Sequence, residues 1–272
     1  MASRNMASAA PISNIKDEKS GTRIVNSQKN EFEARLAESK RLNDLKDEFI
    51  NIASHELKNL VQPILLFADL AKHGDMDKDQ AIDVIFANAD KLRKLTSDIL
   101  DVNKIESGRF VCEMEKVDMK DLVAEIVQTT KLHLPQEVKL ETPIVTSDMT
   151  KDLVIDGDRL RLSQLMTNLI SNSVKFTTKG KIILQLNAQV KQNQLEILVS
   201  DTGSGIPKEV MVRLFEKFIP KSAAQVNKQG TGLGLYISKA IVKGHHGEIS
   251  AVNNSDGGAT FRILLPIRQP TT

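Results

Sequence analysis

Between Phe49 and Lys72 the chain reads FINIASHELKNLVQPILLFADLAK. At about 100° per residue, Phe49, Ala53, Leu57, Leu60, Ile64, Phe67 and Ala71 fall on one stripe, which predicts an amphipathic helix. Upstream, Leu42, Leu45, Phe49 and Ile52 repeat like a coiled-coil seam, so the helix is predicted from about 30 to 73. HGDMDKDQ at 73–80 reads as a turn, with Gly74 as helix stop and Asp77 as N-cap. A second helix follows to about Ser107, with Ile82, Ile85, Ala89, Leu92, Leu95, Ile99 and Val102 as its stripe. Two long helices on a short turn form an antiparallel hairpin. Two helices alone cannot cover that apolar face, so a homodimer completing a four-helix bundle is the economical solution. Residues 1–29 are polar and rich in Ser, Asn and Lys, and read as a disordered or linker N-terminus.

ESGR at 106–109 breaks the helical period, and the texture changes to short strands between helices. RFVCEMEKV reads as a strand, DMKDLVAEIVQTTKL as a helix and EVKLETP as a strand. DRLRLSQLMTNLISNSVKFTT is a strong helix, and KIILQLNAQV with LEILVSD alternates as a strand hairpin. KEVMVRLFEKF and TGLGLYISKAIVKGHH read as helices, and GEISAVNN with GATFRILLPI closes a sheet. The predicted fold class is α+β: a two-helix hairpin forming a dimeric four-helix bundle over 30–108, then an α/β sandwich over 109–272.

Composition narrows the possible functions. The charges are mixed and sum to only +2, with no tryptophan and one tyrosine, so neither a basic patch nor a base-stacking surface points to nucleic acid. No run of about 18 apolar residues predicts a membrane span, and the opening segment lacks a signal-peptide core. Cys112 stands alone, which excludes an internal disulfide and a cysteine-ligated cluster, and reads as a small core residue of a strand. A soluble, cytoplasmic chain is expected.

Four places carry candidate chemistry. His55 lies opposite the apolar stripe, so it faces solvent or a visiting partner; taken alone, the plainer reading is a surface histidine. Asn168, Asn172 and Lys175 share one helix face, where amide oxygens suit Mg²⁺ and the ammonium suits phosphate, though such residues also line solvated faces. LVSDTGSGIP places Asp201 at a strand end before Gly203 and Gly205: a carboxylate able to accept from an adenine amine, or simply a tight turn. KQGTGLGLYISK runs Gly230, Thr231, Gly232, Leu233 and Gly234 into a helix N-terminus, an anion site without a dinucleotide or Walker fingerprint. Before it, IPKSAAQVN reads as a mobile lid or an ordinary loop.

Taken in order, these stretches resemble the sensor histidine kinases of two-component systems over about 40–266. ASHELKNLVQPI resembles the H box and DRLRLSQLMTNLISNSVKF the N box. DTGSGIP resembles the first glycine box, LFEKF the F box and GTGLGLYISK the second glycine box, with GGATFRILLP as the closing strand. The resemblance implies an ATP-dependent protein-histidine kinase. His55 would take the phosphoryl group, Glu56 would serve as base, and Asn59 would place water in the reverse, phosphatase reaction. Asn172 would hold Mg²⁺ with Asn168 nearby, and Lys175 would contact phosphate. Asp201 would read adenine, Phe176 would flank it, and the five glycines would shape the site and lid. Lys221 would meet the γ-phosphate. A response regulator's receiver domain is the implied partner, and ATP and Mg²⁺ the implied ligands. The chain departs from the family at the fifth residue after His55, where Leu60 replaces proline and Pro63 follows, which predicts a bend one turn later. Two other readings stand beside it. One is an ATPase on the same nucleotide fold, which would require glutamate at Asn168. The other is a degenerate dimeric scaffold.

Overall fold

The computed structural model describes residues 14–146, 153–217 and 232–269. Helix α1 (Asn14–His73) begins well before the expected start. Residues 14–29, expected as disorder or linker, are helical; they hold no proline and are rich in charged residues that tolerate a helix. The chain divides into two units, 1–51 and 52–272. In the first, Arg35 donates to Glu31 at 2.7 Å across one helical turn, an exposed pair of the sort worth a few tenths of a kcal/mol.

In the second unit α1 runs unbroken through Pro63, whose missing N–H frees the Asn59 carbonyl. Gly74 takes a positive φ of 82° at the turn. Asp77 then caps α2 (Lys78–Glu106), its Oδ1 accepting from the Asp79 and Gln80 N–H groups at 3.1 Å each. The stripe of α2 differs from expectation. Leu95 and Val102 of that stripe are buried, but Ile82 and Ala89 are exposed, and Ala81, Asp98 and Asp101 are buried outside it. One cause is a neighbour from beyond the hairpin: α2 packs against helix α6 (Gly234–Gly244).

The half that follows α2 is a two-layer sandwich. Its main sheet runs in the order β2 (Val138–Glu141), β5 (Gly180–Gln189), β6 (Gln194–Asp201), β8 (Ala259–Pro266), β7 (Glu248–Asn253), with β3 (Ile144–Thr146) also pairing with β5. Beside it, β1 (Glu115–Asp118) pairs antiparallel with β4 (Val154–Gly157). The β5–β6 hairpin is antiparallel as predicted, with Leu184 opposite Val199 and Leu186 opposite Ile197. Those residues, with Phe261, Ile263 and Leu265, line one buried face. Helices α3 (Met119–Lys131), α4 (Arg159–Phe176) and α6 form the other layer. Leu162, Leu165, Met166, Leu169 and Ile170 of α4 are buried there, each worth roughly 1.5–3 kcal/mol in transfer from water. The opposite face is polar, with Asn187 and Arg262 both donating to Glu196 and holding its carboxyl below the usual range.

Two predicted elements change. Residues 109–114 join no ladder, and the strand holds only Glu115–Asp118. Cys112 is therefore outside any strand; it sits half-buried against Gly244, where a Cβ would come within 2.6 Å of its Sγ. Burial pushes its thiol up to about 11. In KEVMVRLFEKF only α5 (Lys208–Met211) is α-helical, and the chain then tightens into turns bonded three residues apart. Among the described residues no helix is long and apolar enough to cross a membrane.

Candidate active site

Asp201 ends β6 with its side chain buried, and the fold supplies its hydrogen bonds. Oδ1 accepts from the Gly203 N–H at 2.9 Å and the Ala259 N–H at 3.2 Å; Oδ2 accepts from the Ser173 hydroxyl at 3.2 Å. The close approaches require glycine. A Cβ on Gly203 would lie 2.4 Å from the Phe176 carbonyl oxygen. One on Gly258, at φ +84°, would lie 2.0 Å from the Asp201 carbonyl oxygen. Asn254 donates to that same carbonyl at 3.0 Å. Asn253 clamps the first glycine loop by accepting from the Ile206 N–H and donating to its carbonyl, both at 2.7 Å, beside Gly205 at φ 72°.

Helix α4 contributes the next wall. Asp158 caps it, accepting from the Arg161 N–H at 3.0 Å with Oδ1 and from the Glu113 N–H at 3.0 Å with Oδ2. Asn168 is buried, and its amide donates to the Gly234 carbonyl at 3.4 Å, tying α4 to the start of α6. Asn172 is half-buried, and no described residue hydrogen-bonds its side chain. That leaves an amide oxygen, a hard donor that fits Mg²⁺. Phe176 is half-buried under the Lys175 ammonium, 4.9 Å from its ring centroid. Burial lowers the Lys175 pKa, against the pull of Glu56. So the carboxylate beside His55 is within electrostatic reach of the C-terminal end of α4.

His55 is exposed, as the helical phase predicts. The Asn59 amide donates to its Nδ1 at 3.0 Å, which leaves the ring proton of a neutral imidazole on Nε2. Asn59, rather than Glu56, therefore occupies the far nitrogen. Gly232 is exposed at φ 70°, Leu233 is fully buried, and Gly234 opens α6 facing the Asn168 amide. Lys221, Gly230, Thr231 and the segment 219–227, expected as a lid or an ordinary loop, lie outside the described residues.

The sequence reading missed several residues. Ser173 follows Asn172 but lies off the Asn168–Asn172–Lys175 face. Asn253, Asn254 and Ala259 act through backbone contacts that no motif reveals. Asp101 and Arg161 join the two domains: Arg161 donates to Asp101 at 2.7 Å, Gln164 to the same oxygen at 2.9 Å, and Arg161 stacks 4.8 Å over Phe110. Neighbouring Asp98 is buried, and its pKa is pushed up to about 6. Lower on α2, Glu106 pairs with Lys217 beside Tyr236, whose hydroxyl is pushed up chiefly by burial. His245 lies at the C-terminal end of α6 and is buried. Its Nδ1 donates to the Ile241 carbonyl at 2.8 Å and its Nε2 accepts from the Asp158 N–H at 2.9 Å, while burial keeps its pKa low.

Comparison with known proteins agrees with this layout. Residues 45–108 match the His Kinase A (phospho-acceptor) domain, and 157–269 match the Histidine kinase-, DNA gyrase B-, and HSP90-like ATPase family. Histidine kinase 5 of Arabidopsis thaliana is 31% identical over 79% of this chain and 26% of its own. The signal transduction histidine-protein kinase BarA of Escherichia coli is 32% identical over 80% of this chain and 24% of its own. The chain thus spans about a quarter of the length of these relatives. Among solved structures, histidine kinase ThkA in complex with the response regulator protein TrrA aligns with a TM-score of 0.57 at 22% identity, over 84% of this chain and 63% of that one.

Proposed function

The chain belongs to the histidine kinases, and from that premise we propose that it moves the γ-phosphoryl group of ATP onto His55 and then to an aspartate of a response regulator. The observation that carries the reading is an exposed imidazole whose neighbouring Glu56 lies within electrostatic reach of Lys175, on the helix that also bears Asn172.

In this reading Asp201 accepts from the adenine amine and Phe176 flanks the ring. Lys175 meets the phosphates, with the glycine turns and Lys221 closing around them. Asn172 holds Mg²⁺, which supplies charge neutralisation on the phosphate oxygens. An imidazole nitrogen attacks the γ-phosphorus as the bond to the bridging oxygen breaks, releasing ADP. Attack through Nε2 needs its lone pair, so the proton there must first relocate to Nδ1. That requires Asn59 to release Nδ1 and Glu56 to accept from it. In the reverse reaction the Asn59 amide orients water toward phosphohistidine's successor on the regulator. Residues 30–108 serve as the dimerisation and phosphotransfer domain, 109–272 as the catalytic domain and 1–29 as a linker into the first. The exposed Val61, Leu65, Leu66, Ile82 and Phe86 supply apolar surface for a homodimer. We place the reaction in the cytoplasm, where ATP is available.

The test is incubation with γ-labelled ATP and Mg²⁺. A base-stable, acid-labile protein label, absent in His55→Gln and passed to a receiver domain, supports the kinase. Free phosphate without protein label identifies an ATPase, and neither product identifies a scaffold.

A further inference from the structure

A carboxylate can read a base only if its accepting lobes are aimed. At Asp201 one oxygen is fully committed, because Oδ1 takes two backbone N–H groups. Oδ2 takes only the Ser173 hydroxyl among the described residues, so one of its two in-plane lobes stays open. Ser173 is 1% exposed, and its place on α4 is fixed by buried Leu169 and Ile170 in the preceding turn. A serine buried in a helix usually bonds back to a carbonyl of its own helix. This one reaches across to a different element instead.

We propose that Ser173 is the positioning residue for base recognition. Its hydroxyl fills one lobe of Asp201 Oδ2 and leaves the other facing the site, so the site demands a donor there. An exocyclic amine satisfies that demand, and a ring carbonyl at the same place meets a second acceptor and is rejected. The inference rests on the reading of Asp201 as the base-contacting carboxylate.

The experiment titrates the full chain, with Mg²⁺, against ATP and against the triphosphate of unsubstituted purine riboside, which lacks the amine. Ser173→Ala should weaken ATP about tenfold, the loss of one hydrogen bond to a charged group. Binding of the amine-free analogue should stay within about twofold. In His55 labelling, KM for ATP should rise by the same factor while kcat holds. Should the alanine variant unfold, Ser173→Cys, of similar size and a weak donor, carries the same test. Unchanged ATP binding, or an equal loss for both nucleotides, overturns the role of Ser173. Asp201→Asn separates the two levels. If it abolishes ATP binding while Ser173→Ala changes nothing, only the inference fails. If it leaves ATP binding intact, the base-reading role of Asp201 fails and the inference with it.

Discussion

Asp98→Asn probes how the hairpin meets the catalytic domain. Asp98 is 6% exposed; burial pushes its pKa from 3.8 to about 6, opposed by Lys94 and aided by Asp101. A carboxyl whose folded value exceeds its unfolded one holds more protons in the fold. Its contribution is therefore complete below pH 3.8 and is lost as pH rises through 6. At about 1.36 kcal/mol per tenfold change in proton affinity, ionisation of Asp98 costs the fold roughly 3 kcal/mol by neutral pH. Asparagine keeps the shape and stays neutral. Urea unfolding at fixed protein concentration should thus find the variant more stable by roughly 2–3 kcal/mol at pH 7.5, converging with the parent near pH 3.5. His245 acts in the opposite sense. Burial holds it neutral, so both proteins lose stability as pH falls below 6.5, and this cancels in the difference. A difference that does not vary with pH, or a less stable variant at pH 7.5, would refute the reasoning.

Three further outcomes follow from the same structure. In a double-mutant cycle of Arg161→Ala and Asp101→Ala, the coupling should be on the order of 2 kcal/mol by urea unfolding, above the range of exposed pairs. A value below about 0.5 kcal/mol would mean the pair is mere surface decoration. Gly258→Ala should lower the melting temperature far more than Gly108→Ala: both glycines have positive φ, but only at 258 does the added Cβ meet backbone, and equal effects would contradict this. His245→Phe strands the Asp158 N–H, while the Ile241 carbonyl keeps the backbone N–H of residue 245, so it should cost about 1–3 kcal/mol and flatten the stability profile below pH 6.5; a profile as steep as the parent's would exclude His245 as its source.

The helix hairpin was legible because its 3.6-residue period is sustained for many turns, and the β5–β6 hairpin because both strands alternate strictly. The short strands β3 and β4 escaped notice, since three or four residues are too few to display a period. Residues 109–114 misled for a different reason. Phe110 and Cys112 turn inward toward Arg161 and Gly244 while Val111 stays exposed, so the alternation is real, but among the described residues no neighbouring strand completes a ladder. Val210 and Leu214 likewise carry a helical spacing through a stretch bonded as tight turns. At the site, Asp201, Asn172 and the glycines announce themselves by residue type. Ser173, Asn254 and Ala259 do not, because their work depends on distances between elements remote in sequence. Asp101 lies off the expected stripe of α2, since its partners Arg161 and Gln164 come from the other domain.

Strand β8 lies inside the sheet, bonded to β6 on one side and β7 on the other, although it is the last strand formed. During synthesis the nascent hairpin therefore leaves the ribosome long before the sheet can close. Until residues 259–266 emerge, β6 is a bare apolar edge inviting other chains, so a stop codon ahead of that segment would yield an aggregating fragment rather than a weakened enzyme.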